Sequence, residues 1–365
     1  MNRYILNSKI ILFLGAGASE FLGKPLMSNF VDKLIDDIND DKLRGILLTI
    51  VESKGKDLEI LLKEIDGICE RNYFKGQFKR NYIKDQLDII GSLARALLTS
   101  TSQTEIGYKS DFAAKYEALC QECYRLKWRI YDKIFEVYFD IDRMQVKRLY
   151  SPLFRILKEI LREKRVLPIF TTNYDKAIEA YTEDMDDVEL IDGFKTTKSK
   201  TSIWKITVFE KFKPIRKRMN ICLFKLHGSI FWYRLEGNIV YSPIATQFPS
   251  HVNIEPVILY PNDIKQIAFS DPFITAYSYF QGCLSRASYI IFIGYSFRDY
   301  ITITFLKNAL RMNKKLKVVI FDPNATKIFK AYFSFYKNNV VCIDKKFTDK
   351  AEDYQDEILK TIHLE

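Results

Sequence analysis

The spacing of apolar positions divides the chain into three stretches. Residues 9–14, KIILFL, form a short apolar run ending in Gly15-Ala16-Gly17-Ala18-Ser19, and after a turn at Gly23 and Pro25 a helical pattern begins at Ser28. This predicts a strand, a glycine turn and a helix. From about residue 30 to 149 apolar residues recur every three or four positions, as in Leu58, Leu61, Leu62 and Ile65 and again in Ile83, Leu87, Ile90, Leu93 and Leu97. Several helices are expected there, with few strands. After Ser151-Pro152, read as the start of another helix, strands at residues 166–171, 221–226, 257–259, 289–293 and 316–321 alternate with helical sequence from Tyr174, Tyr300 and Ala325. Apolar runs of five or six residues separated by helices predict an α/β fold, a mostly parallel sheet covered on both faces. The expected organisation is one sheet domain from residues 1–29 and 150–345, a helical insertion over 30–149, and a C-terminal helix over 346–365.

Composition supports a packed interior. In 365 residues, 47% hydrophobic, 27 Phe and 22 Tyr stand against 14 Gly and 10 Pro, which suits a large core and not a disordered chain. The N-terminal apolar run, residues 10–14, is too short for a membrane span, and no later segment reaches the ~18 uninterrupted apolar residues a span requires. The expectation is a soluble, cytoplasmic protein. Six dispersed cysteines argue against a disulfide framework, and Cys120-x-x-Cys123, inside helical sequence, reads as core and not as a metal site. The net charge of +10 is partly local: residues 195–218 carry nine basic residues against one acid, Glu210, directly after an acidic stretch from Glu183 to Asp192. A solvated hairpin with paired charges is favoured over a docking site, and direct nucleic-acid binding is allowed without being favoured.

Candidate chemistry sits at strand ends, where a parallel sheet presents its ligand groups. Gly15-Ala16-Gly17-Ala18-Ser19 offers backbone N–H groups to a diphosphate, or is only a tight connection. In Thr171-Thr172-Asn173-Tyr174-Asp175, Asn173 and Asp175 can orient a ribose hydroxyl or a water, or one of them caps the next helix. His227, in Lys225-Leu226-His227-Gly228-Ser229, is one of three histidines and the one that a strand delivers to a cleft. A neutral imidazole there takes a proton from a hydroxyl; a buried, hydrogen-bonded histidine is the alternative. His251 and His363 have no such context. Gly294-Tyr295-Ser296-Phe297-Arg298-Asp299 and Asp322-Pro323-Asn324 are two further polar strand ends, each also readable as a plain turn.

Taken in order, GAGAS, TTNYD, KLHGS, PVILYP, IIFIGYSFRD and VVIFDPN resemble the motif series of the sirtuins and their sirtuin-like prokaryotic relatives, over residues 8–29 and 150–345. The resemblance implies a Rossmann-type parallel sheet with an NAD site. Gly15, Ala16, Gly17 and Ser19 would hold the phosphates, and Gly294 and Ser296 would contact the adenosine ribose with Asp299 beside them. Asn324 would lie near the adenine, and Asn173, Asp175 and His227 would surround the nicotinamide ribose with Thr172 and Gly228. Sirtuin deacylases carry a four-cysteine zinc module after the His-Gly motif, whereas no cysteine occurs here between Cys222 and Cys283, so no metal is expected. Lys24 also stands where the family has acidic and arginine residues. The zinc-less pattern with a helical insertion resembles NAD-depleting effectors of bacterial antiviral defence. That implies an NAD glycohydrolase, homo-oligomers, and a partner such as a ring-forming ATPase or an Argonaute-like protein. An NAD-dependent protein deacylase and a non-catalytic NAD or ADP-ribose sensor are the alternative expectations.

Overall fold

The computed structural model describes residues 1–25, 27–69, 108–161, 166–183, 185–197, 201–242, 256–259, 270–350 and 354–362. The chain forms two units, one from Met1–Lys24 with Val137–Glu365 and the other from Pro25–Glu136.

The first unit is built on a seven-stranded sheet: β1 (Ile10–Leu14), β2 (Val166–Thr171), β3 (Val188–Ile191), β6 (Met219–Lys225), β10 (Tyr289–Ile293), β11 (Lys317–Phe321) and β12 (Val340–Ile343). Their order is β12-β11-β10-β1-β2-β6-β3, and every neighbouring pair is parallel. β1, β2, β6 and β10 are buried along their whole length, because both faces of the sheet are covered. Leu12, Leu14, Leu167, Ile169 and Ile291 share a cluster with Leu149, Leu153, Phe154 and Leu157 of the helix Arg143–Leu161 and with Ile358 of the helix Gln355–Ile362. The alternate residues look the other way: Phe13 and Phe170 lie 5.5 and 4.9 Å, centroid to centroid, from Phe280 of the helix Phe273–Leu284. The period-two alternation of a strand thus serves two cores at once.

Two expectations change here. Pro152 does not start a helix; it lies inside Arg143–Leu161. The helix begins instead at Asp142, whose carboxylate accepts from the Met144 and Gln145 N–H groups at 2.8 and 3.2 Å. It continues through the proline because its buried face, Val146 to Leu157, is seated on the sheet, and that packing outweighs the one donor the proline lacks. The second change concerns the strand expected at residues 257–259. It is β9 (Pro256–Ile258), and it pairs antiparallel with β7 (Gly228–Leu235) in a second sheet of order β4-β5-β8-β7-β9, which also holds β4 (Phe194–Thr196), β5 (Ser202–Trp204) and β8 (Asn238–Tyr241). Glu236 and Gly237, with φ of 48° and 74°, form the two-residue turn between β7 and β8. Both left-handed positions match the twist of a tight hairpin. The basic stretch thus supplies the hairpin β4–β5, and Arg218 pairs with Glu189 of the acidic stretch at 2.8 Å.

The second unit holds the helices Met27–Asp37, Asp41–Lys54 and Leu58–Cys69 and most of the helix Tyr108–Phe139. Asp40 caps the second of these through the Lys42 and Leu43 N–H groups. Leu34, Leu47, Ile50, Leu61, Ile65, Leu126 and Ile130 are buried, and Lys127 pairs with Asp66 at 2.8 Å. The pattern from Ile83 to Leu97 lies outside the described residues. Cys120 and Cys123 are buried thiols within the Tyr108–Phe139 helix, and Cys120 Sγ donates to the Ile68 carbonyl at 3.6 Å. The C-terminal helix is shorter than residues 346–365, running Gln355–Ile362. No helix among the described residues is long and apolar enough to cross a membrane.

Candidate functional site

Strand register brings the chemistry-bearing motifs into one row. Leu14 pairs with both Thr171 and Ile293, Thr171 with Lys225, and Ile293 with Phe321. The next residues, Gly15, Thr172, Leu226, Gly294 and Asp322, therefore all stand one step past the sheet. Each donates its N–H to the last carbonyl of a neighbouring strand, at 2.8 to 3.2 Å. The chain turns to opposite sides of β1, with β2, β6 and β3 on one flank and β10, β11 and β12 on the other. In open α/β sheets this reversal, at the carboxyl ends of the strands, is where a ligand crevice forms.

The two glycine loops meet backbone to backbone. Gly17 N–H donates to the Gly294 carbonyl at 2.9 Å, and Gly15 N–H to that of Ile293 at 2.9 Å. A Cβ on Gly15 would stand 2.5 Å from the Gly294 oxygen, and one on Gly294, whose φ is +59°, would stand 2.3 Å from the Gly17 carbonyl carbon. The glycines thus permit loop contact, and two of the N–H groups expected to cradle phosphate are used inside the protein. The helix expected to offer its positive end is also displaced. Two single-turn 3₁₀ helices, Ala16–Ala18 and Glu20–Leu22, follow β1, and the α-helix starts at Met27, after the left-handed Gly23 and Pro25 interrupt the chain. Gly294→Ala should cost about 2–3 kcal/mol of stability, from the left-handed backbone and the overlap with Gly17, read as a lowered urea midpoint.

Asn173 reaches back to the first loop. Its Nδ2 donates to the Gly15 carbonyl at 2.9 Å and to Ser19 Oγ at 3.2 Å, and its backbone N–H donates to Thr171 Oγ1 at 3.0 Å. A carbonyl can only accept, so the amide nitrogen must face Gly15, and the amide oxygen is the end Asn173 has to offer. Ser19 is buried beneath it, and Tyr150, whose hydroxyl donates to the Ala18 carbonyl at 3.2 Å, is fully buried. Burial pushes the Tyr150 hydroxyl far up, and the nearby Asp175 charge adds to it.

Asp175 stands one residue before Lys176, the N-cap of the next helix. It is buried, and its Oδ1 accepts from the Ala177 N–H at 2.9 Å at the start of the helix Ala177–Thr182. Its carbonyl accepts from the Lys225 ammonium, which also pairs with Glu179 at 3.1 Å, and both of those side chains are nearly inaccessible. Burial pushes the Glu179 carboxyl up, against the pull of Lys225. Lys24 is buried as well and donates to the carbonyls of Val137, at 2.7 Å, and Asp140. Burial lowers its ammonium pKa, while Asp175 and Asp140 oppose the shift. Glu179 and Tyr150 are neighbours of the site that the sequence pattern did not single out. Neither lies at a strand end; Glu179 reads as one more charge on a helix and Tyr150 as one more aromatic in a core face.

His227 is buried and lies against Asp299, with Nε2 to Oδ2 at 3.8 Å. Asp299 is buried too. Its Oδ1 accepts from the Ile301 N–H at 2.8 Å, at the start of the helix Tyr300–Met312, and its Oδ2 from Thr302 Oγ1 at 2.7 Å and the Tyr277 hydroxyl at 3.4 Å. Burial alone would raise the Asp299 carboxyl, but its partners, His227 foremost, hold it below its ordinary value. Gly228, with φ of +80°, sits so close to β9 that a Cβ would fall 1.9 Å from the Val257 oxygen. His227 therefore leaves β6 just before the chain turns into the second sheet. Ala16, Gly17 and Thr172 are half-buried along the row. Ser296 and Asn324 are exposed, and the Asn324 backbone N–H donates to Asp322 at 2.8 Å. The structure thus brings Gly15, Ser19 and Asn173 into contact, brings Gly17 to Gly294, and pairs His227 with Asp299. Ser296 and Asn324 follow the ends of β10 and β11. Among the described residues no three His, Cys, Asp or Glu side chains cluster as a metal site.

Residues 168–342 match the family model of the SIR2-like domain, a span that begins within β2 and so leaves the first glycine loop outside it. No curated protein matches the chain. Among solved structures, a Sir2 homologue in complex with NAD is 13% identical with a TM-score of 0.41, over 99% of this chain and 91% of that one. Sir2Tm bound to a propionylated peptide is 14% identical with a TM-score of 0.39, over 97% and 95%. A Sir2 complex with a p53 peptide and NAD+ is 14% identical with a TM-score of 0.41, again over 97% and 95%. Residues 168–342, from β2 to β12, thus resemble a SIR2-like domain, and the sheet they share is a Rossmann-type parallel sheet flanked by helices.

Proposed function

We propose that the protein binds NAD across the carboxyl ends of β1, β2, β6 and β10 and hydrolyses its nicotinamide–ribose bond, releasing nicotinamide and ADP-ribose. The observation that carries the reading is the row of strand ends in which Asn173, anchored to Gly15 and Ser19, and His227 each stand two residues beyond the paired Thr171 and Lys225. Two groups held at equal height on adjacent strands suit a single sugar. The residues fit the cofactor in part: Ser19 and the half-buried Ala16 remain for the phosphates, while Gly15 and Gly17 shape the loop.

Breaking the glycosidic bond builds positive charge on the ribose, so the site must place electron-rich groups near C1′ and admit a water. The Asn173 amide oxygen meets the first need and can hold that water. The buried Asp175 adds negative potential beneath it, and His227 takes a proton from a ribose hydroxyl or the water. Water adds to C1′, the C1′–N bond breaks with its electron pair going to nicotinamide, and the water's second proton leaves through the imidazole. In this reading the wider role is NAD depletion in antiviral defence, carried out in a homo-oligomer or beside a partner protein.

The test is incubation of the purified chain, alone and with partner and trigger, with NAD, following nicotinamide by mass. Equimolar nicotinamide and ADP-ribose is the expected result. Transfer of an acyl group from a lysine peptide to ADP-ribose would make the protein a deacylase, and NAD binding without release a sensor; either would overturn hydrolysis. Since the segment between Cys222 and Cys283 lacks cysteine, elemental analysis should find no stoichiometric zinc and chelators should leave the far-ultraviolet spectrum unchanged. One zinc per chain would refute that.

A further inference from the structure

We propose that Asp299 is a positioning residue for His227: its carboxylate keeps the imidazole proton on Nε2, so that the ring's basic lone pair is the one on Nδ1. The proposal rests on the NAD-hydrolase reading for what Nδ1 does, and on geometry alone for where the proton sits.

Nε2 of His227 is shut off from solvent, and Asp299 Oδ2 lies 3.8 Å from it. Both side chains are buried, at 4% exposure each, so no bulk water shares the contact. An ionised carboxylate can only accept. Its two oxygens are already surrounded by donors: the Ile301 N–H on Oδ1, and the Thr302 and Tyr277 hydroxyls on Oδ2. A nitrogen lone pair aimed at this carboxylate would put acceptor against acceptor in a dry setting, which is costly. A proton on Nε2 turns the same contact into an attraction. The carboxylate is held from three directions, by the helix start, by Thr302 one residue further on, and by Tyr277 from the helix Phe273–Leu284. It is therefore a fixed reference against which the ring is oriented, and it steadies the imidazolium formed when Nδ1 takes a proton. The sequence places Asp299 at the end of a glycine turn among residues expected to contact cofactor; the protein partners Ile301, Thr302, Tyr277 and His227 fit the positioning role.

The test uses the full chain with His251→Gln and His363→Gln, so that His227 is the single histidine, labelled with 15N. In mildly alkaline buffer the imidazole nitrogens report which one carries the proton. Nε2 protonated is the expected result, and a bare Nε2 with the proton on Nδ1 overturns the proposal. Asp299→Asn is the second arm. Asparagine caps a helix as well as aspartate does, so its Oδ1 keeps the Ile301 N–H and its amide NH2 takes the place facing His227. The proton should then move to Nδ1, and kcat for nicotinamide release should fall on the order of 10²–10⁴-fold with KM changed far less, as expected for a wrongly held tautomer. Unchanged nitrogen signals and a parental kcat in Asp299→Asn overturn the proposal. If the parental chain releases no nicotinamide under any activating condition, NAD hydrolysis fails as the function, while the nitrogen spectra still decide the place of the proton.

Discussion

Asn173→Ala and His227→Ala should each lower NAD turnover by at least ~100-fold, about 2.7 kcal/mol of transition-state stabilisation, while changing NAD affinity much less. In the proposed mechanism both act where positive charge develops and where a proton must leave, and neither is assigned most of the cofactor's contacts. Ser19→Ala should behave differently. It removes the hydroxyl beside the first loop, which also receives the Asn173 amide at 3.2 Å, so NAD binding should weaken first. Asn173→Asp is a sharper probe of the same geometry, because a carboxylate would face the Gly15 carbonyl that now accepts from Nδ2. Acceptor would meet acceptor, and that variant should lose more than the alanine. Single-turnover nicotinamide release with NAD binding by calorimetry separates these effects. Asn173→Ala and His227→Ala both hydrolysing NAD at the parental rate would sink the catalytic assignment.

Lys225→Met should destabilise the protein by about 3–5 kcal/mol, because it leaves the Glu179 carboxyl without its partner in a dry interior, where it must take up a proton or bear an unpaired charge. Lys225 and Glu179 are 2% and 10% exposed in their side chains and 3.1 Å apart, so water cannot take over for the lost partner. The same ammonium donates to the Asp175 carbonyl, so the turn that carries Asn173 and Asp175 should loosen as well. Adding Glu179→Leu should recover much of the loss, since removing both charges also removes the cost of burying them. Urea denaturation of the three variants reads this out. A loss below about 1 kcal/mol for the single variant would show that the pair is not the support under the β2 turn that its burial implies.

The main strands were legible in the sequence because their burial on two faces makes them continuous apolar runs, a signal held within a few neighbouring residues. β2 at Val166–Thr171, β10 at Tyr289–Ile293 and the helix starts at Tyr300 and Ala325 fall where the pattern puts them. The edge strands β3 and β12 do not show that signal, since they are only partly buried and read like loops with a few apolar residues. The candidate site was legible in the same way: glycine, Asn, Asp and His at strand ends are what a parallel sheet offers to a ligand.

What each of those residues touches was decided by tertiary structure. Gly15 reads as a phosphate cradle until β10 is placed beside β1; then its N–H belongs to Ile293. Asp299 reads as a lone polar group at a glycine turn, and only the turn after β6 brings His227 to within 3.8 Å of it. Pro152 reads as a helix start until the sheet surface holds a longer helix together around it, and β9 reads as one more parallel strand until β7 captures it antiparallel. In each case the deciding contact joins segments far apart in the chain or depends on burial against the sheet. The sequence by itself determined the central strands, as continuous apolar runs, and the polar groups that end them, because propensity and periodicity act between neighbours. Only the folded sheet, whose register is fixed by burying both faces, decided which of those polar groups meet.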